Sequence, residues 1–223
     1  MNYNYIAIIG ELKNSKNLEN RNEVQIKLEN VLKKINSSYS DQIASNFTIT
    51  LGDEFQGLLS ESSNVMYIMS EIEKVLYPVK FRFGVGIGTI TTRINRELAI
   101  GADGPAYQRA RTAIDKVRKN ERKNQTSNEY IRVETSNSGD LRLRELNIIL
   151  SLTAVISESW TNRQRQVIWT MLFHSKSQSE VAKLLGLSQS SFQKSLSSGN
   201  FYSYKIAHEA ISSAIEELRV GYI

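Results

Sequence analysis

The amino-acid sequence predicts an α+β fold, a ferredoxin-like sandwich over residues 1–138 followed by an all-α part. Three observations lead there. Short runs with strand-like patterning alternate with longer segments whose apolar residues recur at helical spacing. The runs come in the order strand, helix, strand, strand, helix, strand, helix, strand. Beyond residue 140 only the helical period remains.

Each element has its own warrant. Ile6–Ile9 is an apolar run ending at Gly10, which reads as a buried strand. From Arg21 to Ile35 apolar residues fall at Val24, Leu28, Val31, Leu32 and Ile35, the spacing of one helix face. Phe47–Leu51 alternates as a half-buried strand does, Gly52-Asp53-Glu54 signals a turn, and Phe55–Leu59 is the second arm of a hairpin. Ser62–Leu76 returns to helical spacing and stops before Pro78, and Lys80–Ile87 is again a strand. Gly104-Pro105 opens a helix over Tyr107–Val117, since proline suits a first helical turn. Glu121–Asn128 is a polar loop and Tyr130–Glu134 a last strand. Two strand–helix–strand halves around a central hairpin describe a ferredoxin-like sandwich. The division expected is residues 1–138 for this sandwich, 139–160 for a linking helix and 161–223 for the helical domain.

Composition narrows the function. The chain has 223 residues, 40% of them apolar, enough for real cores. It has no cysteine, which removes disulfides, thiolate zinc sites and a cysteine nucleophile. That fits a reducing, cytoplasmic setting. The N-terminus has a short apolar run without a basic lead, so it reads as a strand rather than a signal peptide. No run approaches the ~20 apolar residues of a membrane span. The net charge of +5 allows a polyanionic partner. Between Arg109 and Arg144 ten basic residues stand against five acidic ones. The two histidines, His174 and His208, lie on C-terminal helices, and no serine–histidine pairing argues for hydrolysis.

The C-terminal segment SQSEVAKLLGLSQSSFQKSL carries helix-turn-helix spacing. Ala182 is the small residue where two helices cross, Gly186 stands where the turn needs positive φ, and Ser188 suits an N-cap. With WTNRQRQVIWTML ahead of it, the segment resembles region four of sigma factors and the effector domains of response regulators. In those proteins the second helix enters the major groove. The resemblance implies base-edge contacts from Gln189, Ser190, Ser191, Gln193 and Lys194, and phosphate contacts from Arg163, Arg165 and Lys183. The partner so implied is double-stranded DNA, bound by a homodimer or with help from the basic run Arg109–Arg144, because one weakly basic module would bind feebly.

The N-terminal pieces IAIIGELKNS, ITLGDEFQGLL, FRFGVGIGTITT and GADGPAYQRARTAID together resemble the catalytic core of class III nucleotide cyclases. In that family two acids, one ending the first strand and one in the hairpin turn, hold divalent cations on a triphosphate. Glu11 and Asp53 occupy those places, with Glu54 beside the second, which implies Mg²⁺ or Mn²⁺ with a nucleotide. The glycines of GVGIG would allow close approach of a ligand. Two departures speak against catalysis. Glutamate replaces aspartate at position 11, and the family's asparagine–arginine pair falls on Gln108 and Thr112, or one residue earlier on Tyr107 and Arg111. Gly104 at a helix start, with Arg109 and Arg111 near it, would suit an anionic effector.

Across nearly its full length, through GELKNS, LGDEFQGLL, GPAYQRAR and the terminal helices, the chain resembles the SatD family. The expectation is a DNA-binding transcriptional regulator whose cyclase-like domain senses a ligand or dimerises without catalysis. The alternatives are a metal-dependent nucleotide-processing enzyme or a protein-interaction adaptor.

Overall fold

In a computed structural model, residues 4–15, 20–123, 129–174 and 177–221 are described. Most of the predicted polar loop, residues 124–128, lies outside them. Five strands form one sheet: β1 (Tyr5–Leu12), β2 (Ile43–Leu51), β3 (Glu54–Leu59), β4 (Phe81–Gly88) and β5 (Ile131–Glu134). Three helices punctuate them: α1 (Arg21–Ser38), α2 (Val65–Leu76) and α3 (Pro105–Arg122). The sheet order is β2-β3-β1-β4-β5. β1 runs antiparallel to both β3 and β4, and β5 adds parallel to β4 across the α3 crossover. The first four strands thus have the ferredoxin-like order.

Both sheet faces are covered. Ile6, Ile8, Phe55, Phe81, Phe83 and Val85 pack beneath α1 and α2. Alternation turns Ala7, Ile9 and Leu58 to the other face, against Ala106, Tyr107, Ala110 and Ile114 of α3. The glycines of GVGIG serve this second contact. A Cβ on Gly84 would lie 2.1 Å from the Ala110 carbonyl oxygen, and one on Gly86 2.0 Å from that of Ala106. Their smallness seats α3 on the sheet, and it is a helix rather than a ligand that approaches there.

The remaining helices are α4 (Leu141–Glu158), α5 (Asn162–Phe173), α6 (Gln178–Leu184), α7 (Gln189–Ser198) and α8 (Phe201–Gly221). Capping boxes start α5 at Thr161 and α6 at Ser177. Gly186 takes φ +64° between α6 and α7, and the Leu187 amide donates to the Ala182 carbonyl at 2.9 Å. A small core of Trp160, Val167, Ile168, Val181, Phe192 and Tyr204 holds α5 to α7 together.

A separate all-α helix-turn-helix domain does not emerge from this arrangement. Leu143, Leu146, Leu150 and Ala154 of α4, and Ile211, Ile215 and Leu218 of α8, belong to the main core under the sheet. Buried polar contacts reinforce the join: Ser62 Oγ donates to the Ser212 carbonyl at 3.1 Å, and Asn4 Nδ2 to that of Arg219 at 3.1 Å. The reason is amphipathicity. α4 and α8 each turn one apolar stripe into the core beneath the sheet. Among the described residues no helix is long and apolar enough to cross a membrane.

Candidate functional site

The acids that end β1 and begin β3 meet on the α3 face of the sheet. Glu11 and Glu54 are direct partners in the β1–β3 ladder, and their side chains are only 12% and 8% exposed. Two carboxylates opposed in this way repel unless a cation intervenes. Guanidinium groups supply it. Arg82 Nη1 donates to Glu11 at 3.0 Å, and Arg118 donates to the same carboxylate from α3. Arg111, also on α3, grips Glu54 with both terminal nitrogens, Nη2 at 2.7 Å from Oε1. The hydrogen bond to Glu54 raises the already high pKa of Arg111. Arg82 Nε reaches Glu121 at 2.8 Å, and Lys13 pairs with Glu121 as well. Burial disfavours the Glu121 carboxylate, but those two partners outweigh it and lower its pKa.

Asp53 stands apart in the hairpin turn. Its carboxylate accepts a hydrogen bond from Ser15 Oγ at 2.6 Å, while its carbonyl accepts the Leu12 amide at 2.9 Å. Glu11, Asp53 and Glu54 are hard oxygen donors of the kind Mg²⁺ or Mn²⁺ prefers. Yet Glu11 and Glu54 are bound to arginines, and no cluster of three metal-ligating side chains occurs among the described residues. As folded, the expected pair of Glu11 and Asp53 does not fit a divalent cation without breaking those ion pairs.

The expected anion site at the start of α3 does not converge either. Arg109 Nη1 donates to the Ile87 carbonyl at 2.6 Å, and its burial lowers its pKa. Arg111 is turned to Glu54. The Gly104 amide donates to its own neighbour, Asp103 Oδ1, at 2.7 Å, so a carboxylate already sits at that helix start.

Beside the carboxylate–arginine array lies a cleft of about 410 Å³ lined by Ile9, Gln56, Asp103, Tyr107, Gln108 and Arg111. Tyr107 is 6% exposed and its buried hydroxyl has no partner. Burial raises its pKa, so the phenol keeps its proton and can donate. Sequence reasoning reached Tyr107 only as one of two registers and Arg111 also as an anion contact beside Gly104, and it passed over Arg82 and Arg118. Strand parity was the available signal: Glu11, Glu54 and Arg82 share a face only once β1 is paired with β3 and β4.

The residues expected to meet DNA are divided. Gln189, Ser190, Ser191, Gln193 and Lys194 are exposed on α7, and Arg163 and Lys183 on α5 and α6. Arg165 is not available to a duplex. It lies inward, its guanidinium 4.8 Å from the Tyr77 ring and 5.1 Å from that of Trp169. Lys194 is the single cation of α7, against the many phosphate contacts that duplex affinity requires.

Residues 5–214 match the sequence profile of the SatD family. No curated protein matches the chain. Solved structures similar to it include the catalytic core of a rhodopsin-guanylyl cyclase with converted specificity in complex with ATPalphaS. That one is 12% identical over 51% of this chain and 72% of the other, with a TM-score of 0.38. Another is a bacterial light-regulated adenylyl cyclase, 12% identical over 60% of this chain and 43% of the other, with a TM-score of 0.41. The family match lends no support to the likeness to sigma-factor region four. With Arg165 turned inward, a single cation on α7 and the end of α8 drawn into the main core, the reading as a transcriptional regulator with a double-stranded DNA partner is corrected.

Proposed function

The chain belongs to the SatD family, and from that premise we propose that it binds and processes a nucleotide on its cyclase-like palm. One observation carries the reading: the carboxylate–arginine array at the β1 and β3 ends opens onto a cleft with an unpartnered phenol. The cleft's chemistry is mixed in the way a nucleotide is mixed. Arg111 offers a planar fork that matches a phosphate as well as it matches Glu54. The Gln108 amide, and the amide oxygen of Gln56, whose Nε2 already donates to the Ala99 carbonyl at 2.7 Å, offer donors and acceptors for a ribose or base edge. Phosphate binding would compete with Glu54 for Arg111 and leave the Glu54 carboxylate free beside Glu11.

Equilibrium dialysis of the full chain against ATP, GTP, CTP and UTP tests this, with Mg²⁺, Mn²⁺ or EDTA and chromatography of the products. At least one nucleotide is expected to bind, about tenfold more weakly to Arg111→Gln, and to turn over more slowly in Glu54→Gln, which removes the carboxylate that phosphate binding frees. If no nucleotide binds under any of the three conditions, the reading fails.

A further inference from the structure

On the α2 side of the sheet, where it meets the C-terminal helices, there is a partly open cavity of about 250 Å³. Its walls are Glu73 and Tyr77 at the end of α2, Tyr130 before β5, Trp160 before α5, and Arg165 and Trp169 on α5. Lys13, Lys80 and Glu158 also line it.

Arg165 is the unusual member. Its guanidinium stands 4.8 Å from the Tyr77 ring, 5.5 Å from Trp160 and 5.1 Å from Trp169, a cation held in an aromatic box. Nη2 donates to the Ser157 carbonyl at 2.7 Å, but Nε is buried with no partner. Leaving such a donor unmet in the interior is costly. The neighbouring acids do not meet it. The Glu158 carboxylate is taken by Lys80, and no ion pair among the described residues includes Arg165. Burial pushes the Glu73 carboxyl up to about 8, with nearby Arg165 and a hydrogen bond from Tyr130 only partly opposing it. That shift makes Glu73 a weak counter-charge for Arg165. Lys13 and Lys80 add to the cationic lining, each with an acidic partner.

The complement of a guanidinium with an unmet donor, framed by aromatic rings, is an oxyanion on a compact planar body. We propose that this cavity binds a small planar organic anion, its carboxylate or phosphate gripped by Arg165 and its body lying against Trp169 and Tyr77. The cavity lies across the sheet from the α3 cleft, and the inference does not depend on nucleotide binding there.

The chain's two tryptophans both line the cavity, so intrinsic fluorescence reports on it directly. The full-length protein is titrated with benzoate and with phenyl phosphate, and in parallel with benzamide and benzylamine as neutral and cationic bodies of the same size. The two anions distinguish a carboxylate ligand from a phosphate one. A saturable change with at least one anion, and none with the other two compounds, is expected. Arg165→Lys keeps the charge but loses the fork, and should weaken that response about tenfold, with circular dichroism confirming its fold. Should that variant not fold, Glu73→Gln, which mimics the protonated acid, takes its place and should retain anion binding at pH 7. Absence of a saturable anion response overturns the proposal, as does an equal response to benzamide or benzylamine. So does unchanged affinity in folded Arg165→Lys, or loss of binding in folded Glu73→Gln.

Discussion

Glu54 is 6% exposed and Arg111 supplies its bidentate partner, so the pair is sensitive to the loss of either member. Arg111→Gln leaves a buried carboxylate short of its counter-charge. The expected cost is about 2 kcal/mol, discounted because Arg111 is partly exposed. Chemical denaturation should show it, and adding Glu54→Gln should recover most of it. A second expectation concerns His208, 1% exposed between Tyr67 and Tyr204, with Nε2 3.2 Å from Ser70 Oγ. Burial pushes its pKa down to about 4 from 6.5. The unfolded chain therefore takes up the proton first as pH falls. The contribution is whole above pH 6.5 and is lost between there and 4, up to about 3 kcal/mol. Urea titrations across that window should show the decline, and His208→Gln should flatten it. Neither residue was legible as such. Glu54 reads as a turn residue and His208 as a helix residue until long-range packing surrounds them.

Elements were far more legible than sites. Every strand and helix of the sheet layer follows from local periodicity, because a half-buried strand and an amphipathic helix write their burial into the order of residues. The β4 glycines are the exception in meaning. In sequence they suggest ligand approach, and in the fold they let α3 lie on the sheet. Gly86→Ala places a methyl carbon 2.0 Å from the Ala106 carbonyl oxygen, a clash only a backbone shift relieves. Destabilisation of about 3 kcal/mol or more is expected, read as a lower thermal midpoint. At α5, Thr161 closes a capping box with Gln164. Thr161→Ala should cost about 1 kcal/mol, and a loss as large as that of Gly86→Ala would contradict this division between capping and packing.

At the scale of the whole molecule, α8 decides the organisation. It starts with Phe201 and Tyr204 in the small helical core and ends with Ile211, Ile215 and Leu218 in the core under the sheet. Unfolding should consequently be a single transition. Fluorescence reports on Trp160 and Trp169, and far-ultraviolet circular dichroism on the whole backbone, so the two midpoints should coincide. Ile215→Ala should shift both together, by about 3 kcal/mol. A split into two transitions, with only one displaced, would mean that sheet and helices fold independently.

The order of strands and helices, the turn at Gly186, the kinship with the SatD family and the acids Glu11 and Asp53 at the end of β1 and in the hairpin turn were all determined by the sequence. These depend on nearest neighbours or on motif spacing, which a linear string preserves. Tertiary structure alone decided that Glu11 faces Glu54, that arginines rather than open space lie between α3 and those carboxylates, and that Arg165 turns inward. It also decided that α4 and α8 complete the main core. Each of those facts joins residues far apart in the chain, and no local period records which distant charge or apolar stripe a side chain will meet.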